Sequence, residues 1–221
     1  MNSVAILTSL QLALATTTIL MLVGIPLAYW LAFSKRRWKF LVESAVAMPL
    51  ILPPTVLGFY VLVALGPHSP IGRLSERIFG TTLPFTFKGL VIASTLYSLP
   101  FAVQPIATAF GSVNRRLIEA SWTLGVSRTG TFRRVIVPQS LAGLVTGAVL
   151  SFAHTIGEFG VVLMVGGNIE GQTRTVSIAI YDDVQALNYA QANATALLLV
   201  IFSFAVLATV YGINRRALIS S

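Results

Sequence analysis

An all-α integral membrane protein is the fold class this sequence predicts, and three observations carry that prediction. Hydrophobic residues make up 55% of the 221 residues and charged residues 10%, against about 25% charged in a soluble domain. The charges are clustered, so that long charge-free intervals alternate with short basic ones. Those intervals match the length of a bilayer-spanning helix, about 20 apolar residues. The expected architecture is a single domain over 1–221. It has about five transmembrane helices, at approximately 10–33, 44–66, 89–110, 140–165 and 194–213, and a polar loop at 115–138.

Composition also excludes several classes. A net charge of +8 on a chain of mean hydropathy +0.82 reads as basic cytoplasmic loops rather than a nucleic-acid surface. No cysteine is present, which rules out disulfides, thiolate metal sites and a thiol nucleophile.

The first span, 10–33, lies in an interval with no charged side chain from Met1 to Ser34. It lacks the basic start and short apolar core of a secretory signal. Gly24 and Pro26 interrupt it tolerably for a membrane helix. Lys35, Arg36, Arg37 and Lys39 follow. The second span contains MPLILPPTVLGF, with Pro49, Pro53 and Pro54. Proline removes a helical donor and clashes with the preceding turn, so this span should break or kink strongly. Either it is a kinked packing helix, or it lines a pathway where irregular backbone survives at membrane depth.

A loop at 67–88 follows, in which SERIF reads as a short surface helix with Ser75 near its start. The third span carries Ser94, Thr95, Tyr97 and Ser98. Small hydroxyl residues suit close helix packing, and they equally suit a polar pathway. In the fourth span Gly143 and Gly147 form GxxxG, a weak helix-contact signal. His154 and Glu158 fall four residues apart on one helical face, and Glu158 is expected to cap or bond backbone near GEFG. Thr175–Ala190 is interrupted by Asp182 and Asp183 and is not counted as a span. A sixth crossing there would put both carboxylates in lipid, at a cost of several kcal/mol unless paired.

The cations orient the chain. With the amino terminus outside, the inner segments hold eleven of the fifteen Lys and Arg residues (Lys35, Arg36, Arg37, Lys39, Arg115, Arg116, Arg128, Arg133, Arg134, Arg215 and Arg216). The carboxyl terminus is then inside.

The loop at 115–138 has internal order. Asn114 is a plausible N-cap. Leu117, Ala120, Ser121 and Leu124 fall at i, i+3, i+4 and i+7, one stripe of a short helix. Gly125 can take the left-handed conformation that ends it. Ser127 can cap a second turn with Phe132, Val135 and Ile136 as apolar positions, and Pro138 suits the first turn of the next span. Such a helix either docks in a groove of a soluble partner or lies on the membrane surface.

EASWTLG, nine residues and then VIVP resemble the EAA loop of the membrane subunits of binding-protein-dependent ABC importers. Glu119, Ala120, Gly125 and Pro138 match in register, while Ser121, Val135 and Val137 replace Ala, Ile and Leu. MPLILPPTVLGF, SERIFG and SFAHTIGEFGVVLMVGGNIEGQTRT are similar to the permease subunits for tetrahedral oxyanions, molybdate first and sulfate or thiosulfate next. Glu170 stands where that resemblance expects proline.

The resemblance implies a type I ABC importer permease fold in the cytoplasmic membrane of a bacterium or archaeon. It implies a coupling helix in the cleft of an ATPase, with Glu119, Ala120, Ser121, Leu124, Gly125 and Pro138 as coupling residues. Its implied partners are a second copy of the chain, two ABC ATPase subunits carrying ATP and Mg, an extracytoplasmic oxyanion-binding protein and the lipid bilayer, with no nucleic acid. No GxxxxGK[ST] loop occurs in this chain, so no cofactor is expected on it.

Ser94, Ser98, Ser151, Thr155 and Glu158 are the candidates for the translocation path or gate. The spans contain no arginine, and uncharged donors suit weak, releasable binding of a dianion. A secondary transporter is disfavoured because no internal repeat occurs. An intramembrane enzyme is disfavoured because His154 and Glu158 are too few ligands for a catalytic metal. No catalytic and no metal residues are assigned.

Overall fold

The computed structural model describes residues 3–219. The side chains of Phe79 and of residues 213–219 are not described, so those of Arg215 and Arg216, counted for the inner terminus, lie outside it. All regular structure among the described residues is helical.

Three helices are long and apolar enough to cross a bilayer alone: α1 (Ser3–Phe33), α5 (Phe87–Ser112) and α12 (Tyr189–Ile219), the last counted through Gly212. Two further helix pairs among the described residues pass the same test together but are bent, the mark of a broken span or a re-entrant loop. The first joins α2 (Lys39–Ala47) and a 3-10 turn at Met48–Leu50 to α3 (Pro54–Leu65), with a bend of 111°. The cause is chemical: Pro53 and Pro54 supply no N–H for a continuing ladder, and their rings clash with the preceding turn. The second joins the segment 128–139 to α9 (Leu141–Gly157), with a bend of 73°. With each bent pair counted as one span, the described residues hold up to five crossings.

Several sequence expectations need correction. The fourth span is one helix only to Gly157; residues 158–159 break it and α10 (Gly160–Gly166) follows. SERIF belongs to α4 (Pro70–Phe79), whose N-cap is Ser69, accepting from the Gly72 N–H at 2.8 Å. Ser75 therefore lies mid-helix, and it is buried. Thr175–Ala190, not counted as a span from its sequence, holds only α11 (Val176–Gln185), ten residues long and too short to span. The Ser9 hydroxyl of α1 accepts the Val176 N–H at 2.8 Å, so a distant side chain satisfies the start of α11.

α1, α5 and α9 form the central bundle. Leu12, Leu20, Leu90, Val103 and Ile106 are fully buried in it. The GxxxG pattern is a genuine contact. A Cβ on Gly143 would collide with the Ala109 methyl, and one on Gly147 would come within 2.9 Å of the Ala102 carbonyl. α9 therefore lies almost backbone to backbone on α5. α12 is peripheral, with Leu197, Val200, Ile201 and Phe204 exposed, as expected of a lipid-facing helix.

Candidate functional site

Two places carry unusual side-chain arrangements: the elbow at 114–140 and the junction where the two broken spans meet.

At the elbow, Asn114 caps α6 (Arg115–Thr123) by accepting from the Arg116 N–H at 3.0 Å. Gly125 ends it at φ 78°, a conformation that costs a residue with a Cβ more than glycine. Ser127 caps α7 (Arg128–Thr131) by accepting from the Gly130 N–H at 3.2 Å. A π-helical turn, Phe132–Ile136, then leads into α8 (Val137–Gln139). In a regular α-helix the Pro138 ring would meet the Arg134 carbonyl, and the wider turn relieves that clash. Pro138 thus stands just before the bend and not at the start of the spanning helix. Ser140, buried, ties the corner to α5 by donating to the Ala109 carbonyl at 3.1 Å.

The expected stripe of α6 divides. Leu117, Ala120 and Leu124 are exposed, Leu124 at 81%, together with Glu119 and Trp122. Ser121 is buried with Ile118 on the opposite side. Its hydroxyl donates to the Ile118 carbonyl at 2.8 Å and meets the Thr131 hydroxyl at 2.8 Å. Ser121 joins the two short helices of the elbow.

Beneath them lies an aromatic hub that sequence reasoning missed. The Phe132 ring meets Tyr29 of α1 edge-on at 5.3 Å and Phe110 of α5 at 5.9 Å. Phe132 was legible as an apolar position, but nothing local marks partners so distant in sequence.

The junction lies where α3 and α10 begin. A Cβ on Gly160 would sit 2.7 Å from the Pro54 Cβ, so the two breaks touch. A cavity of about 540 Å³ opens there, walled by Thr55, Tyr97, His154, Glu158 and Phe159 among others. His154 stacks on Phe101 at 3.9 Å, and its Nδ1 lies 2.9 Å from the Ser98 hydroxyl. The proton directions follow from the chain of contacts. Thr155 donates to the Ser151 carbonyl at 2.8 Å, so Ser98 donates to Thr155 at 3.0 Å. Ser98 must then accept from His154 Nδ1–H. This leaves Nε2 as the ring's free nitrogen.

Glu158 is 4% exposed, and neither carboxyl oxygen makes a hydrogen bond. The expectation that it caps or bonds backbone is therefore overturned. Ser94 lies near enough to interact with it but makes no bond of standard geometry. Ser94, Ser98, Ser151 and Thr155 are all buried, with Ser151 donating to the Gly147 carbonyl within α9 at 2.7 Å. Of the five expected path residues, only Glu158 borders the cavity.

Comparison with known proteins matches these features to a family. The family described as "Binding-protein-dependent transport system inner membrane component" matches residues 24–219. The "Molybdenum transport system permease protein ModB" of Azotobacter vinelandii is 52% identical over 96% of this chain and 93% of its own length. The protein of that name from Escherichia coli (strain K12) is 35% identical over 79% of this chain and 78% of its own length. Among solved structures, an inward-facing MetNI methionine ABC transporter superposes with a TM-score of 0.72 at 19% identity, covering 96% of this chain and 94% of that one. A bacterial alginate ABC transporter superposes at 0.75 and 16% identity, over 96% and 78%; at such identities these two show the fold alone. The chain belongs to the family of inner-membrane permease subunits of binding-protein-dependent ABC importers.

Proposed function

We propose that this chain is the subunit through which molybdate, or the isosteric tungstate, crosses the cytoplasmic membrane inward. The observation that carries the substrate is the likeness to molybdenum permeases, spread over nearly the whole chain. The chemistry that drives transport belongs to a separate ATPase, and an extracytoplasmic binding protein delivers the anion. Two copies of the chain form the path, each with one elbow seated on one ATPase. The amino terminus is outside and the carboxyl terminus inside, a reading that the distribution of cations supports.

The elbow is the coupling element in this reading. Leu117 and Leu124 present an apolar face left exposed among the described residues, and Glu119 and Ala120 flank it. A short amphipathic helix with such a face fits a groove of a soluble partner. Gly125 sets the turn after that face, Ser121 braces it from behind, and Pro138 shapes the corner into α9. When ATP closes the ATPase dimer, each elbow moves as a body. The Phe132 hub passes the displacement to α1 and α5, and Ser140 passes it to the α5–α9 contact. The membrane part then switches between outward-open and inward-open arrangements, the two-state element that such coupling needs.

The test is uptake of radiolabelled molybdate by proteoliposomes holding the permease, its ATPase and the binding protein. Uptake that requires ATP and is blocked by vanadate, with molybdate or tungstate outcompeting sulfate, is the expected result. Uptake without ATP would point to a secondary transporter, and preference for sulfate or thiosulfate would reassign the substrate.

A further inference from the structure

We propose that a groove between the carboxyl-terminal end of α1, α2 and α5 holds an anionic phospholipid, whose phosphate meets Lys35, Arg36 and Arg37 while one acyl chain fills the groove. None of the groove's wall residues borders the cavity at the junction, and the site is independent of which anion the chain carries.

Three observations converge there. First, the groove, about 490 Å³ in volume, has walls of two kinds. Leu31, Val46 and Ala107 make an apolar wall, and Gln104 and Thr108 a polar one. Gln104 and Thr108 lie four residues apart on one face of α5. Both are exposed, and their side chains make no hydrogen bond among the described residues. Polar side chains on a membrane helix face a cavity or a partner, and a phospholipid brings phosphate and ester oxygens as acceptors. Second, the chain leaves the groove wall at Ala32 and returns to it at Lys39, so the cations between them stand within a few residues of its rim. Lys35, Arg36 and Arg37 are exposed, and no carboxylate pairs with them among the described residues. Such a cluster beside a membrane helix attracts anionic headgroups. Third, the same segment carries the marks of a membrane boundary. The Trp30 and Trp38 rings lie 5.1 Å apart, and the Arg36 guanidinium is 5.5 Å from the centre of the Trp38 ring. Tryptophan is enriched where lipid meets water. Phe40 and Leu41 follow, exposed at 59% and 57%.

A lipid accounts for both walls and for the cations together. A free phosphate would leave the apolar wall uncovered, and a lipid without net charge would leave the cations uncompensated. A second copy of this chain seated through the same patch would set like charges against each other. The carboxylate on the groove wall, Glu43, is engaged by Lys39 at 3.2 Å, so that pair adds little net charge and the three cations at the rim set the sign. Because the attraction is electrostatic and exposed, it weakens as salt rises.

The probe is phosphatidylglycerol with a photoreactive group on one acyl chain, mixed into phosphatidylcholine nanodiscs that hold the permease and its ATPase. Cross-links are mapped to peptides by mass spectrometry. Labelling is expected to be stronger at residues 31–32, 46–47 and 103–107 than on the lipid-facing side of α12. Unlabelled phosphatidylglycerol should compete for the groove, and phosphatidylcholine should not. Arg36→Gln combined with Arg37→Gln should lower labelling of the groove about tenfold or more, the scale of two cations at a lipid surface, and leave that of α12 unchanged. Both arginines are exposed, so the fold should persist. Groove labelling no stronger than that of α12, equal competition by the two lipids, or an undiminished signal in the double variant overturns the proposal. So does a groove that stays unlabelled, which assigns its cover to a second copy or another protein. Loss of the ATPase from the double variant assigns the arginines to that partner and overturns it as well.

Discussion

The elbow and the junction are both places where a helix breaks near a proline, yet they are finished differently. At the elbow the polar side chains find partners: Asn114 and Ser127 cap helices, Ser121 meets Thr131, and Ser140 bonds across to α5. At the junction Ser94 and both oxygens of Glu158 are buried without a bond among the described residues, and Thr55 is exposed. A segment that must carry a push from a partner gains from being satisfied, because satisfied networks are rigid. In the proposed function the elbow acts as a lever, and satisfied contacts of this kind suit that role.

The largest effect is expected where the two regions are mechanically joined. α9 runs from the elbow to the junction and lies on α5 through Gly143 and Gly147. Gly143→Leu must drive α9 away from Ala109 and the Pro105 carbonyl. Backbone atoms cannot yield as a flexible side chain does, and overpacking of this kind costs about 1–3 kcal/mol or more. The expected outcome is loss of the folded membrane subunit, read as failure to elute as a discrete species in detergent. A well-behaved variant with normal uptake would show that the α5–α9 contact is not the strut between the two regions.

A smaller, more selective effect is expected from the elbow alone. Gly125→Asp places a side chain at φ 78°, where strain of about 1–3 kcal/mol is typical. Glu119→Lys reverses a charge on the exposed side of α6. Both residues are exposed, so the membrane fold should persist while the ATPase no longer co-purifies. Normal co-purification of the ATPase with both variants would count strongly against docking at this helix.

How much of each region was legible in the sequence follows from the same contrast. The elbow is local: caps at Asn114 and Ser127, a glycine stop at Gly125 and the spacing of Leu117, Ala120 and Leu124 lie within a few turns of one another. Even there, pattern alone could not tell which positions of α6 face outward. Ser121 shares the stripe with Leu124 but is buried, because Thr131 ten residues later folds back to meet it. The junction is not local. Pro53 and Pro54 announced one break, but nothing in HTIGEFG announced the second, since glycine is tolerated in membrane helices. The hydroxyls at Ser94, Ser98, Ser151 and Thr155 fit packing and pathway equally well by type. Only the three-dimensional arrangement places Ser98 and Thr155 behind His154 and leaves Glu158 bordering the cavity.

The smallest effect tests whether the stiffness of the lever matters at all. Ser121 donates to the Ile118 carbonyl and Thr131 to the Ser127 carbonyl, while the two hydroxyls also contact each other at 2.8 Å. Two protons therefore serve three contacts, and one carbonyl bond must be shared. Thr131→Val removes one proton and one acceptor but fills the same buried volume, and it leaves Ser121 its bond to Ile118. A net loss of about 1 kcal/mol is the expected scale for one such hydrogen bond, so the assembly should still form and hydrolyse ATP. What changes is the angle between α6 and α7, which the hydroxyl pair holds. More ATP should then be hydrolysed per molybdate transported, with a rise of at most about fivefold if the whole loss appears as slippage. The measurement is that ratio in proteoliposomes, with thermal stability followed in parallel. A ratio equal to that of the unaltered protein, alongside a lowered melting temperature, would mean that the pair stabilises the elbow without stiffening it. Coupling would then rest on the Phe132 hub.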